Sequence, residues 1–290
     1  VVAVPRFETP MTFNVTLPAS YQERSDKRYF VLFDLHPRAH AYLSGLHDWM
    51  SHNGEWPWLE TIVINSAGYH AEFAKLFEQT AEDPTNTGML DIFAEQIMPA
   101  IESQYRTNGF NIYSGFMSNG AIGLYALLNQ PTLFDAYLIA TPTLANEFLS
   151  SNGSAAAKLA ELNDKMRFVY LAIGQHAYEQ AHLGSTEELI KAFQQKAPAE
   201  LEWHYQLDTE HYYMSRPVLT VINGIEKLFD DMHNDLAADS AISLLGPDAI
   251  IAHYEKLSVS KYGFPVSAEG SLKKLAKSHT VIIVTHSMTL

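Results

Sequence analysis

The chain has 290 residues, 47% hydrophobic and 18% charged, which is long and apolar enough for one large globular domain or two smaller ones and excludes a disordered chain. With 19 basic and 33 acidic residues the net charge is −14, which argues against nucleic acid and anionic membrane surfaces as partners. There is no cysteine, so disulfides, thiolate metal sites and cysteine nucleophiles are excluded.

In chain order, "VVAVPRFETP" lacks a basic n-region and has only a short apolar run, so it reads as the start of a processed or trimmed chain rather than as a signal peptide. Residues 10–18, "PMTFNVTLP", alternate and are rich in β formers, which predicts a strand ending at Pro18. The near-continuous apolar runs at 29–36, 60–67, 110–116, 136–142 and 167–174 predict strands buried on both faces, as in a parallel sheet, and 201–208 predicts a further strand. Between them lie helical patterns. Leu90, Phe93, Ile97 and Ile101 share one stripe, with Pro99 expected to kink the helix. Residues 120–131 are apolar on most sides and predict a buried helix. Ser185 with Glu188 three residues on predicts a capping box opening a helix over 185–195, and 216–232 predicts a last long helix.

Strands alternating with helices imply an α/β fold, a mainly parallel sheet covered on both faces. After about residue 235 the alternation stops. Residues 236–290 are expected as an appended helical segment, broken at "LGPD" and "YGFPVS", beside a domain over 1–235. The terminal "TVIIVTHSMTL" fits a strand or an added tail better than a membrane span, because no run of about 18 apolar residues exists. Asn14-Val15-Thr16 and Asn152-Gly153-Ser154 match the glycosylation sequon, a pattern that often arises by chance.

The stretch "IYSGFMSNGAIGLY", 112–125, reads as a strand entering a tight turn and then a helix, the place where many hydrolases keep a nucleophile. With residues 13–46, which open on a strand ending in Leu-Pro, with 97–144, and with "AHYEKLSVSKYGFPVS" at 252–267, it resembles the esterase family of α/β-hydrolases that includes the siderophore (enterobactin) esterases and esterase D. The resemblance implies an α/β-hydrolase fold and hydrolysis of carboxylic esters by a serine nucleophile and a histidine base. It covers most of the chain. The chain departs from the family at each catalytic motif.

The family elbow reads Gly-His-Ser-x-Gly-Gly. Aligned without gaps, Gly115 takes the first glycine and Met117 the nucleophile position. A shift of one residue puts Ser118 there instead, with the Asn119 amide facing the oxyanion and the bulky Phe116 two residues before. A structural alternative is that Ser118 or Asn119 caps the helix. The base candidate is His211, after the strand at 201–208; Tyr212 and Tyr213 follow where the family has small residues, and the gap to Asn223-Gly224 is longer than the family pattern. The acid is expected after the strand at 167–174. The family's Glu position holds Ala177, which leaves Glu179 as first choice and Asp208 as second, or no acid at all. The oxyanion loop carries His36-Pro37, and because Pro37 has no N–H the Arg38 amide is the candidate donor.

His36, His40, His47 and His52 have spacings that occur in metal sites, but with 13 histidines such spacings arise by chance, and no metal or other cofactor is expected. Two functions remain open: a siderophore-esterase-like serine hydrolase using Ser118, His211 and Glu179 or Asp208, or a catalytically lapsed homologue that binds a ligand or partner. A small-molecule ester is the expected partner of the first, with a homo-oligomer left open and a soluble periplasmic or cytoplasmic location expected.

Overall fold

The computed structural model describes residues 7–82, 88–144 and 155–287; Asn152-Gly153-Ser154 lies outside them. The chain divides after Leu228 into two compact units.

The first unit is built on seven strands: β1 (Phe13–Thr16), β2 (Tyr29–Asp34), β3 (Thr61–Ser66), β4 (Thr107–Phe116), β5 (Ala136–Ala140), β6 (Arg167–Ile173) and β7 (Leu201–Leu207). Their order is β1-β3-β2-β4-β5-β6-β7, with β1 antiparallel to β3 and every other pair parallel. Every residue of β2, β3, β5 and β6 is buried, as their continuous apolar runs require, whereas β7 at the edge is mostly half-buried. Successive strand residues face opposite ways. Leu138 of β5 meets Gly224 of the helix Arg216–Leu228, and its neighbour Ile139 meets Gly123 of the helix Ser118–Asn129. Helices therefore cover both faces. The chain passes from β2 to β3 on one side and to β4 on the other, which makes the carboxyl ends of β2 and β4 the switch point where such sheets open a crevice.

Gly115, Gly120 and Gly123 let the helix Ser118–Asn129 lie against the sheet. A Cβ on Gly115 would come within 2.5 Å of the Asn119 carbonyl oxygen. Gly115→Ala is expected to cost about 2–4 kcal/mol, because the clash is with backbone that cannot rotate away. Urea unfolding at neutral pH checks this, and a loss below about 1 kcal/mol would contradict it.

Three local expectations are corrected. The helix predicted to open at Ser185 runs from Ala177 to Lys196, with its capping box at His176 and Glu179. Ser185 and Thr186 lie buried inside it, and Thr186 Oγ1 bonds back to the His182 carbonyl within the helix. The helix predicted over 216–232 stops at Leu228 and a short turn, Asp230–His233, follows. The terminal "TVIIVTHS" continues the helix Glu269–Ser287, whose backbone bonds close within the segment, where a strand would need a partner. Ahead of Pro99 the helix Gly88–Ile92 widens into a π turn over Phe93–Ile97 before Met98–Gln104, near the point where the proline's missing N–H breaks the i→i−4 ladder.

The second unit has no strand among the described residues. It holds the helix Pro247–Lys256, which widens at Leu257–Tyr262 and ends at Gly263 in the left-handed region, and the helix Glu269–Ser287. Lys261, nearly buried, is paired with Asp231 at 2.7 Å. Among the described residues no helix is long and apolar enough to cross a membrane.

Candidate active site

Between β4 and the helix Ser118–Asn129 stands a single residue, Met117, at φ 56° and ψ −121°. A non-glycine residue held there is strained and persists only when its surroundings impose it. They do: the Met117 amide donates to the Ala140 carbonyl at 3.1 Å, and its own carbonyl accepts from the Ala121 amide at 3.0 Å and the Thr143 amide at 3.2 Å. The apex of the elbow is therefore Met117. Ser118 is the first helical residue, exposed, and its Oγ accepts from Thr143 Oγ1 at 3.3 Å. Asn119 is the next, with its carbonyl accepting from the Tyr113 hydroxyl at 2.8 Å.

The Met117 sulfur is met by the Tyr213 hydroxyl, from the turn Tyr213–Ser215 that leads into the helix Arg216–Leu228. Tyr213 also packs against Phe116, with ring centroids 5.0 Å apart, and stacks on Tyr178 at 5.8 Å. Burial, then the Glu179 carboxylate and Tyr178, raise the Tyr213 hydroxyl above the usual phenol value. The Tyr213 hydroxyl thus meets Met117, within reach of the Glu179 charge.

Glu179 and Arg216 are both fully buried. Arg216 Nε donates to Glu179 Oε1 at 2.7 Å and Nη2 to Oε2 at 3.2 Å, while Nη1 sits 2.5 Å from Asp208 Oδ2. Glu179 also accepts from Thr141 Oγ1 at 2.8 Å and from the amides of Gly174 at 2.9 Å and His176 at 3.1 Å. Thr141 takes φ 43° to reach it, and a side chain on Gly174 would run into the guanidinium. Burial opposes the Glu179 charge, but Arg216, Thr141 and the His176 amide more than offset it and hold the carboxyl below its usual value.

His211 belongs to a second pair. Its Nδ1 lies 3.0 Å from Asp208 Oδ1, which also accepts from the Glu210 amide at 3.1 Å and the His211 amide at 3.2 Å. Burial opposes the Asp208 charge as well, and these bonds together with Arg216 hold it low. The His211 side chain is 48% exposed. Its carbonyl accepts from His176 Nε2 at 3.1 Å and Arg216 Nη2 at 3.3 Å. The structure brings Asp208 to His211, Glu179 to Arg216 and Tyr213 to Met117. No hydrogen bond joins Ser118 to His211.

On the other side of the elbow, the Arg38 amide donates to His36 Nδ1 at 3.2 Å, so the expected oxyanion donor is engaged within its own loop. The His36 amide donates to Asp34 Oδ1 at 2.8 Å, and Ser114 Oγ donates to Oδ2 at 2.8 Å. Asp34 carries no cationic partner, and burial pushes its carboxyl up to about 7. A carboxyl raised in the folded state contributes stability that is full below its ordinary value of 3.8 and is lost as pH rises through about 7. The cost of keeping it charged at pH 8 is on the order of 4 kcal/mol. Asp34→Asn keeps the shape without the charge. Its stability relative to the parent is expected to rise between pH 5 and pH 8, read from urea midpoints; parallel profiles would contradict this.

The remaining histidines of the 36–52 cluster are used separately. His47 Nε2 accepts from the Thr61 amide at 2.9 Å, and burial pushes its ring down to about 4. His40 Nδ1 faces Ser44 Oγ at 3.5 Å. Among the described residues no three His, Asp or Glu side chains converge where a metal ion could sit.

At the switch point, the carboxyl ends of β2, β3 and β4 enclose a cavity of about 430 Å³, lined by Leu35 and His36 after β2, Tyr69 and His70 after β3, and Ser118 and Asn119 at the elbow. Sequence reasoning missed Tyr213, Arg216 and Thr141. The signal for Tyr213 was the overlong gap between His211 and Gly224.

No protein-family model and no curated protein matches the sequence. Solved structures do. An IroE-like serine hydrolase from Shewanella oneidensis superposes with a TM-score of 0.68 at 20% identity, over 95% of this chain and 91% of that one. The BES protein from Bacillus cereus gives 0.65 at 16% identity, over 78% and 93%. The siderophore hydrolase EstA from Aspergillus nidulans gives 0.61 at 17%, over 79% and 93%. The chain shares the α/β-hydrolase fold of these structures.

Proposed function

We propose that this chain is a catalytically lapsed α/β-hydrolase that binds a small molecule at the carboxyl ends of its sheet instead of cleaving an ester. One observation carries the reading: the strained apex of the elbow holds the thioether of Met117, covered by the hydroxyl of Tyr213. A thioether has no proton to surrender to a base, and attack on an acyl carbon would leave it a sulfonium rather than a stable ester. A phenol raised above its usual value is protonated at neutral pH and cannot act as the general base of a serine hydrolase. The cavity beside the elbow stays formed, and it supplies the binding role.

The second reading is a serine esterase using Ser118, His211 and Asp208 or Glu179, with the Asn119 and Arg38 amides as oxyanion donors. Its support is the Asp208–His211 pair, assembled as an acid orients a base. It requires the Ser118 hydroxyl to donate to a His211 ring nitrogen, a bond absent here, and the Arg38 amide to leave His36. Turnover of short-chain nitrophenyl esters separates the two. The lapsed reading expects the same slow rate from the parent, Ser118→Ala and His211→Ala; a rate abolished by either substitution would establish the esterase.

A further inference from the structure

The walls of the switch-point cavity fix the chemistry it would accept. One side is apolar, formed by Leu35, Phe73, Phe77 and Ile122. Some of the polar groups facing them are spent. His70 Nε2 bonds to the Thr9 carbonyl at 3.0 Å and its Nδ1 faces the Phe73 amide at 3.4 Å. Ser66 Oγ donates to the Gly68 carbonyl at 2.6 Å. Four donors remain: the Asn119 side-chain amide and the Tyr69 hydroxyl, both in the lining, and two whose proton the neighbouring bonds place. His36 accepts the Arg38 amide on Nδ1, so the neutral ring carries its proton on Nε2, and burial followed by the Arg38 charge favours that neutral ring. Ser118 Oγ accepts from Thr143 and keeps its own proton to give.

Charge in the lining is one-sided. Neither lysine nor arginine is among the described lining residues, and Glu78 stands at the exposed edge. An anion entering here would shed water against only Arg38, whose charge reaches His36 but which is exposed and outside the lining, in a chain already at −14. A neutral acceptor oxygen matches these donors, and a ring matches the aromatic wall.

We infer that this cavity binds an uncharged ring-bearing molecule through one acceptor oxygen, a carbonyl or hydroxyl, and discriminates against the corresponding anion. The inference rests on the binding role proposed above and adds the ligand class. Benzamide and benzoate, equal in shape and different in charge, are the probes. Both are titrated at pH 8 into protein with labelled methionine methyls, because Met11 lines the cavity while Met214, 70% exposed and outside its lining, serves as the control. Benzamide is expected to shift Met11 and leave Met214 in place, and benzoate is expected to bind at least about tenfold more weakly. Ala74→Phe, which pushes a ring into the cavity, should abolish the Met11 shift, and Ser118→Ala should weaken benzamide several-fold with no change in unfolding midpoint. Benzoate binding as tightly as benzamide, no benzamide shift at Met11, or a Ser118→Ala affinity equal to the parent's would each overturn the inference. Ester turnover by the parent is a separate readout: turnover dependent on Ser118 would overturn the lapsed reading and leave the charge preference to be judged on its own titration.

Discussion

Arg216→Met is expected to lower stability by about 3–5 kcal/mol at neutral pH. Arg216 is fully buried and is the cation for two carboxylates, Glu179 and Asp208, while also bonding the Asp208 and His211 carbonyls. Methionine fills much of the volume but leaves both charges buried without a partner. The sign with pH follows from their directions. Both carboxyls are held below their ordinary values in the fold, so their contribution is present above about pH 4 and is lost as pH falls through the depressed values. Without Arg216, burial is left to raise both carboxyls, so in Arg216→Met they take up protons before pH 4 and the deficit should narrow in acid. Equilibrium urea unfolding at pH 7 and pH 4 reads both. A loss under about 1 kcal/mol at pH 7, or one that widens in acid, would contradict the assignment.

Met117→Ser combined with Tyr213→His is expected to raise ester hydrolysis above the slow rate expected of the parent. The two positions already touch, and the Glu179 charge is near enough to help raise the Tyr213 hydroxyl. Serine and histidine are shorter than methionine and tyrosine, so the turn Tyr213–Ser215 must move inward to close the gap, and Arg216 keeps much of the Glu179 charge occupied. The gain should sit at the low end for a general base, roughly 100-fold over the parent in nitrophenyl acetate turnover. Each single substitution should give little, since a serine without a base and a histidine without a nucleophile are both incomplete. Equal rates in the double variant and the parent would show that position 213 is not the base position.

The strands were legible because a parallel sheet covered on both faces leaves its signature in the sequence as unbroken apolar runs; 29–36 and 167–174 needed no partner to be recognised. The elbow was legible as a fold element because Gly115 and Gly120 bracket the only backbone path that brings strand and helix so close. Its apex was not settled, because Met117 and Ser118 are one residue apart and only the backbone twist separates them. Ser185 misled because a capping box is a local pattern, whereas the true helix start is fixed by Glu179 reaching Arg216, 37 residues away. Tyr213 escaped for a related reason. Its meeting with Met117 spans 96 residues and depends on how the chain leaves β7, which no short window encodes. His211 and Asp208, only three residues apart, formed the local pair that the sequence did suggest.

The central claim is that no side chain of this chain acts as a serine nucleophile. Treatment of the parent protein with a fluorophosphonate probe, followed by intact-mass measurement, tests it directly, because phosphonylation requires a serine activated by a base. The account predicts an unchanged mass, with Ser118→Ala and the parent identical. A stoichiometric mass increase in the parent that disappears in Ser118→Ala would contradict it.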